Sequence, residues 1–174
     1  MYQYLLFDLD GTLTDPGIGI TNSVIYALHS GLAIQYYREY FKKQGMFENK
    51  VYDGIHDLLI ELKTKVKSLI VATSKPEAFA VEILRYFDLY NYFDFVAGAT
   101  MNDVRNKKED IIRYALENCH ISDKSSAVMI GDREHDIIGA NENGYVSVGN
   151  GISDIHEIKS AKDIIDEMTK DYCK

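Results

Sequence analysis

Cysteine, proline and basic charge are all scarce in this 174-residue chain, and long apolar runs are absent. The two cysteines, Cys119 and Cys173, are too few for a disulfide framework, and no Cys/His group has structural zinc spacing. Pro16 and Pro76 are the only prolines, and no repeat or low-complexity stretch divides the chain. Nineteen Lys and Arg stand against 27 Asp and Glu, a net charge of −8. That balance disfavours sequence-blind nucleic-acid binding and anionic membranes, which need a basic surface. No apolar run approaches the roughly 20 residues that span a bilayer. The stretch Met1-Tyr2-Gln3-Tyr4 has no basic region, and Asp8 and Asp10 interrupt any apolar one, so no signal peptide is expected. No Asn-x-Ser/Thr acceptor occurs. With 46% apolar residues, the expectation is a soluble, cytoplasmic, globular domain over residues 1–174.

Short apolar runs alternate with segments of helical period. Tyr4–Phe7, Leu69–Ala72, Phe93–Ala97 and Ala127–Ile130 have strand length, and Val146–Val148 is a weaker fifth. Between them, Ile55, Leu58, Leu59 and Leu62 fall at i, i+3, i+4 and i+7, a core-facing helical stripe. Phe79, Ile83 and Phe87 make a second stripe, with Pro76 suited to a first helical turn, and Ile111, Ile112, Ala115 and Leu116 make a third. Such alternation predicts an α/β fold: a three-layer parallel sheet with helices on both faces. One region breaks the pattern. About Thr21–Leu28 and Ile34–Gln44 read as two successive helices with a turn near Ser30-Gly31 and no strand between.

Ligands of parallel sheets bind beyond the carboxyl ends of the strands. The first run ends in Asp8-Leu9-Asp10-Gly11-Thr12, the second in Thr73-Ser74-Lys75, and the fourth in Gly131-Asp132-Arg133-Glu134-His135-Asp136. Lys107-Lys108 opens the helix after the third. Several acids at one rim repel one another unless a cation compensates, and an all-oxygen donor set suits Mg²⁺. A carboxylate can attack phosphorus, a second acid can protonate the leaving oxygen, and a lysine can neutralise the transferred group. The parts needed for phosphoryl transfer through aspartate are all present.

The run Phe7-Asp8-Leu9-Asp10-Gly11-Thr12-Leu13-Thr14-Asp15 resembles the first motif of the haloacid dehalogenase superfamily. The resemblance continues in order through Val71-Ala72-Thr73-Ser74-Lys75-Pro76, Lys108, and Gly131-Asp132 with Asp136. It is similar above all to the phosphoglycolate-phosphatase-like branch, and the resemblance implies a Rossmann-like core. It implies Asp8 as nucleophile and metal ligand. Asp10 would be the general acid and then base, with its carbonyl on the metal. Gly11, Thr12, Thr73 and the Ser74 amide would bind substrate, and Lys108 would neutralise nucleophile and phosphoryl. Asp132 would ligate Mg²⁺, and Asp136 would hold it directly or through water. The reaction implied is Mg²⁺-dependent hydrolysis of a small phosphorylated metabolite through an aspartyl phosphate.

Other readings weigh against parts of this. Asp15 reads as a helix cap ahead of Pro16, Lys107 as a solvated helix-start lysine, and Lys75, Arg133 and His135 as surface or supporting residues. His29, His56, His120 and His156 share no ligand spacing, and Cys119 reads as packing at a helix end. Gly17-x-Gly19 and Gly149-x-Gly151 lack the third glycine of a dinucleotide site. A receiver-type phospho-acceptor would place its acid pair and acceptor aspartate after different strands, whereas one strand end carries both Asp8 and Asp10. Members of the branch insert a helical cap after the first motif. Here residues of about 21–45 resemble only its first and last helices, and the stretch after Gly149 is also short. An open site of that kind suits a phosphatase better than a phosphomutase, which must exclude water. It also leaves a catalytically weak binding or regulatory protein as the alternative. Tyr36, Tyr37, Tyr40 and Phe41 crowd the stub, so the chain is expected as a monomer or as a homodimer joined through it.

Overall fold

The structure is a computed structural model that describes residues 2–28, 33–102, 104–144 and 146–148. Five parallel strands form the central sheet: β1 (Tyr4–Phe7), β4 (Ser68–Pro76), β5 (Phe95–Ala99), β6 (Ala127–Ile130) and β7 (Val146–Val148). Their order is β5-β4-β1-β6-β7. β1 pairs with β4 from Tyr4↔Ser68 to Phe7↔Val71 and with β6 from Tyr4↔Ala127 to Phe7↔Ile130. The chain builds outward from β1 to β5, then returns to β6 on the other side. The carboxyl end of β1 therefore lies where strand order reverses, the usual ligand crevice of an open parallel sheet.

The two-residue period of a strand sends alternate side chains to opposite faces. Leu5, Phe7, Leu69, Val71, Val128 and Ile130 share one core with α3 (Ile55–Lys65) and α4 (Glu77–Tyr86). Leu6, Ile70, Ala72, Ala97 and Met129 share the other with α5 (Lys108–Asn118) and Ala140 of α6 (Glu134–Glu142). Three layers result, with helices on both faces, as the alternation predicts. Cys119 caps the C-terminus of α5.

Several bounds differ from the sequence reading. Pro76 is the residue before α4, not within its first turn. β5 begins at Phe95, because Tyr90–Tyr92 is a 3₁₀ turn and the Asp94 amide already bonds to the Leu69 carbonyl at 2.8 Å. α1 starts at Gly17 and runs to Leu28, its entry shaped by Asp15, whose Oδ1 accepts from the Gly17 N–H at 3.0 Å. α2 (Ala33–Tyr40) gives way to a π-helical turn, Phe41–Gly45. β2 (Thr14–Asp15) and β3 (Lys50–Val51) form an antiparallel pair at the base of this insertion, too short to leave a period in the sequence. The turn near Ser30-Gly31, His29, His156, Cys173 and the Gly149-x-Gly151 stretch lie outside the described residues.

The stub is tightly built. A Cβ on Gly19 would sit 1.8 Å from the Gly45 carbonyl oxygen, so α1 crosses the π turn at backbone contact. The Glu48 carboxylate accepts from Asn22, Tyr40 and Gln44, and its carbonyl accepts from the Gly19 N–H. Phe41 stacks on Tyr37 at 5.8 Å and meets Phe79 of α4 edge-on at 5.9 Å, seating the stub on the core. Among the described residues, no helix is long and apolar enough to cross a membrane.

Candidate active site

Asp8 follows β1 directly, and its N–H bonds to the Ile130 carbonyl of β6 at 2.9 Å, extending the ladder by one residue beyond the strand. Next comes a tight turn. The Leu9 carbonyl accepts from Leu13 and Thr14, while the Gly11 N–H donates to the Thr14 carbonyl at 2.7 Å. Gly11 has φ +84°, and a Cβ there would lie 2.3 Å from Asp132 Oδ2. Glycine is required on both counts. Because its amide is taken by Thr14, Gly11 shapes the site through the turn rather than through a free N–H.

Asp8, Asp132 and Asp136 bring carboxylate oxygens within 4.8 Å of one another. Lys108, at the first turn of α5, reaches into this group with its side chain only 3% exposed. Its Nζ lies 2.9 Å from Asp8 Oδ1 and 2.6 Å from Asp136 Oδ1. Lys107 beside it is exposed and pairs loosely with Glu109 at 3.7 Å. The second oxygen of Asp136 accepts from the Arg133 N–H at 3.0 Å, which closes the first turn of α6. Burial pushes the Asp136 carboxyl above its ordinary range although Lys108 opposes it. Burial and then the Asp8 charge do the same to Asp132. Asp8 Oδ1 has no hydrogen bond of acceptable direction among the described residues despite the nearby ammonium. Three crowded acids with one such oxygen fit a hard divalent cation.

Asp10 stands apart from that triad. Its Oδ2 is 2.7 Å from Lys75 Nζ, and its buried Oδ1 has no hydrogen bond among the described residues. Burial raises the Asp10 carboxyl, and Lys75 works against the shift. Thr73 is 1% exposed, and its Oγ1 accepts from the Lys75 N–H at 3.2 Å, while Ser74 is exposed. Thr12 Oγ1 lies 3.5 Å from Asp132 Oδ1, the long limit of a hydrogen bond. Arg133 and His135 are exposed. The structure thus gathers Asp8, Lys108, Asp132 and Asp136 into one contact group and sets Asp10 beside it on its own lysine. From sequence alone Lys75 reads as a surface or supporting residue. The apolar run ends at Ala72, but β4 continues through Lys75 to Pro76, and this longer strand carries the lysine into its buried pair with Asp10. Burial, and then the charges of Asp15, Asp132 and Asp10, raise the phenol of Tyr52, the residue after β3.

Residues 28–149 match the profile of the haloacid dehalogenase-like hydrolases. The chain is 37% identical over 184 residues to a 5'-nucleotidase of Pseudomonas aeruginosa, covering 86% of this chain and 83% of that one. It is 35% identical to the tyrosine-protein kinase PtkA of Mycobacterium tuberculosis over 84% of its own length, and spans 61% of that protein. A crystal structure of a predicted phosphatase from Clostridium acetobutylicum superposes with a TM-score of 0.84 at 39% identity, covering 95% of this chain and 99% of that one. With the acid-lysine site at the switch point of a parallel sheet, these matches place the chain in the haloacid dehalogenase-like hydrolase family.

Proposed function

We propose that this enzyme, a haloacid dehalogenase-like phosphoric monoester hydrolase, cleaves a small phosphorylated metabolite through an aspartyl phosphate on Asp8. The observation that carries the reading is the buried Asp8 carboxylate held 2.9 Å from Lys108, beside an Asp10 whose Oδ1 has no hydrogen bond among the described residues. An Asp8 oxygen bonds to phosphorus as the ester P–O bond breaks, and Asp10 delivers a proton to the departing oxygen. Asp10 then takes a proton from water, which attacks phosphorus and releases phosphate and the free Asp8. Lys108 offsets charge on the nucleophile and on the phosphoryl oxygens, and the buried Thr73 stands ready to hold one of them. Asp8, Asp132 and Asp136, with the Asp10 carbonyl, would hold Mg²⁺. When bound, the ion supplies positive charge against the phosphoryl group and the crowded acids.

The relatives include the Pseudomonas aeruginosa 5'-nucleotidase and a phosphoglycolate phosphatase of Neisseria gonorrhoeae, 29% identical over 113 residues. Nucleoside 5'-monophosphates and phosphoglycolate are therefore the substrates to compare first. Residues of about 21–45 are read as a reduced cap. The 184 aligned positions of the nucleotidase take in only about 150 residues of this chain, so roughly 34 positions there have no counterpart here. On the reading that these positions belong to the cap, the site excludes water less well. That shortfall favours the second reading, a weak catalyst kept for binding or regulation. We read the enzyme as cytoplasmic, and as a monomer or a homodimer through the stub.

The test is turnover of nucleotides, phosphoglycolate and p-nitrophenyl phosphate by wild type and Asp8→Asn, with EDTA and with Mg²⁺ restored. Loss of turnover in the variant and in EDTA, with recovery on Mg²⁺, is expected. Wild-type turnover by purified Asp8→Asn would overturn the mechanism. Normal Mg²⁺ binding with negligible hydrolysis across the panel would establish the second reading.

A further inference from the structure

Lysine is almost never fully buried without a partner. The Lys75 side chain is 7% exposed, and two unlike groups hold it. On one side is Asp10 Oδ2 at 2.7 Å; on the other is the ring of Phe41, whose centroid lies 4.8 Å from Nζ. Phe41 is itself fixed between Tyr37 and Phe79, and it belongs to the π turn that joins the stub to the core. The backbone is anchored too, by the bond from the Lys75 N–H to Thr73 Oγ1. The charge of the nucleophile is already answered by Lys108, so Lys75 is not needed there.

We propose that Lys75 is a positioning residue for Asp10, and that the stub holds it in place through Phe41. A carboxylate pinned by one oxygen presents the other in a fixed direction, which proton transfer to a departing oxygen requires. In Asp10 the pinned oxygen is Oδ2, and Oδ1 is buried and has no hydrogen bond among the described residues. In the first step the proton leaves Asp10 Oδ1 for the ester oxygen as the P–O bond breaks. In the second, Oδ1 takes a proton from the attacking water. The ring of Phe41 stabilises the ammonium on its far side, a cation–π contact available only while the stub is seated on the core. A side chain from the insertion thereby sets the aim of the acid without touching substrate. This proposal rests on the aspartyl-phosphate reading.

The test compares kcat/KM for p-nitrophenyl phosphate, whose leaving group departs without a proton, and glycerol 2-phosphate, whose alkoxide cannot. Because kcat/KM ends at the first irreversible step, it reports the leaving-group step and not the later hydrolysis. Lys75→Met is expected to lose on the order of 100-fold on the alkyl ester and only a few-fold on the aryl ester, within the range general acids contribute. Lys75→Arg should recover much of the difference. Phe41→Leu, which keeps an apolar residue of similar size, should show the same bias at roughly several-fold. Equal losses on the two esters, or none, would mean that Lys75 is only structural. Should Lys75→Met fail to fold, Phe41→Leu decides alone, and an unchanged ratio overturns the proposal. Asp10→Asn must show the same bias, and its absence would remove the acid that Lys75 is said to aim. Turnover by Asp8→Asn would instead sink the parent mechanism.

Discussion

Lys108 is the residue on which the electrostatic balance of the site turns, and Lys108→Met tests that directly. The substitution keeps most of the apolar stem and deletes the ammonium that lies 2.9 Å from Asp8 and 2.6 Å from Asp136. The two carboxylates have side chains only 8% and 3% exposed, so water cannot replace the lost partner. Breaking a buried pair by removing one member costs about 3–5 kcal/mol, because the remaining charge is left uncompensated. In a chain of this size each kcal/mol shifts the melting temperature by about 2–4 °C, so a fall of about 6–20 °C is expected in EDTA. Mg²⁺ should restore more stability to the variant than to wild type, since a cation in the acid triad replaces part of the missing charge. Thermal unfolding followed by circular dichroism, with and without Mg²⁺, measures both effects. Lys107→Met is the control: that side chain is 69% exposed and pairs only at 3.7 Å, so its change should stay within about 0.5 kcal/mol. Equal melting temperatures for the two variants would refute the reasoning.

Two further outcomes concern the frame. Burial works to raise the Asp94 carboxyl, but bonds from Lys63 Nζ, the Leu69 N–H and Ser68 Oγ outweigh it and hold the group below its ordinary range. A depressed folded value contributes stability that is fully present above the unfolded value of about 3.9 and lost as pH falls through the folded one. Asp94→Asn should therefore be less stable than wild type at neutral pH, with the gap closing in acid; a gap constant across an acid titration of unfolding would count against it. Gly19→Ala places a Cβ 1.8 Å from the Gly45 carbonyl, so the stub must shift, at a cost of about 1–3 kcal/mol. Amide exchange should quicken in α1 and the π turn first, and unchanged exchange there would disprove the tight crossing.

What the sequence disclosed depended on period and position. The strands at Tyr4–Phe7 and Ala127–Ile130 stood out because runs buried on both faces read as continuous apolar stretches. Asp8, Asp132 and Lys108 were legible because acids and a lysine at strand ends have little other reason to gather. Lys75 was not, since an isolated lysine reads as solvated, and only tertiary packing of Phe41 and Asp10 around it shows otherwise. The β2–β3 pair escaped because two residues carry no period, and the π turn because its residues fit an ordinary helix equally well. The Gly19–Gly45 contact belongs to space, not to spacing.

The antiparallel pair Thr14–Asp15 with Lys50–Val51 brings the two ends of the insertion side by side. Its two ends are thus already closed whatever hangs between them, and closing a longer excursion costs only a slowly growing entropy. Replacing the stretch between these paired residues by a longer helical segment should therefore leave the hydrolytic frame standing, and it would make this chain a host for grafted substrate-selecting lids.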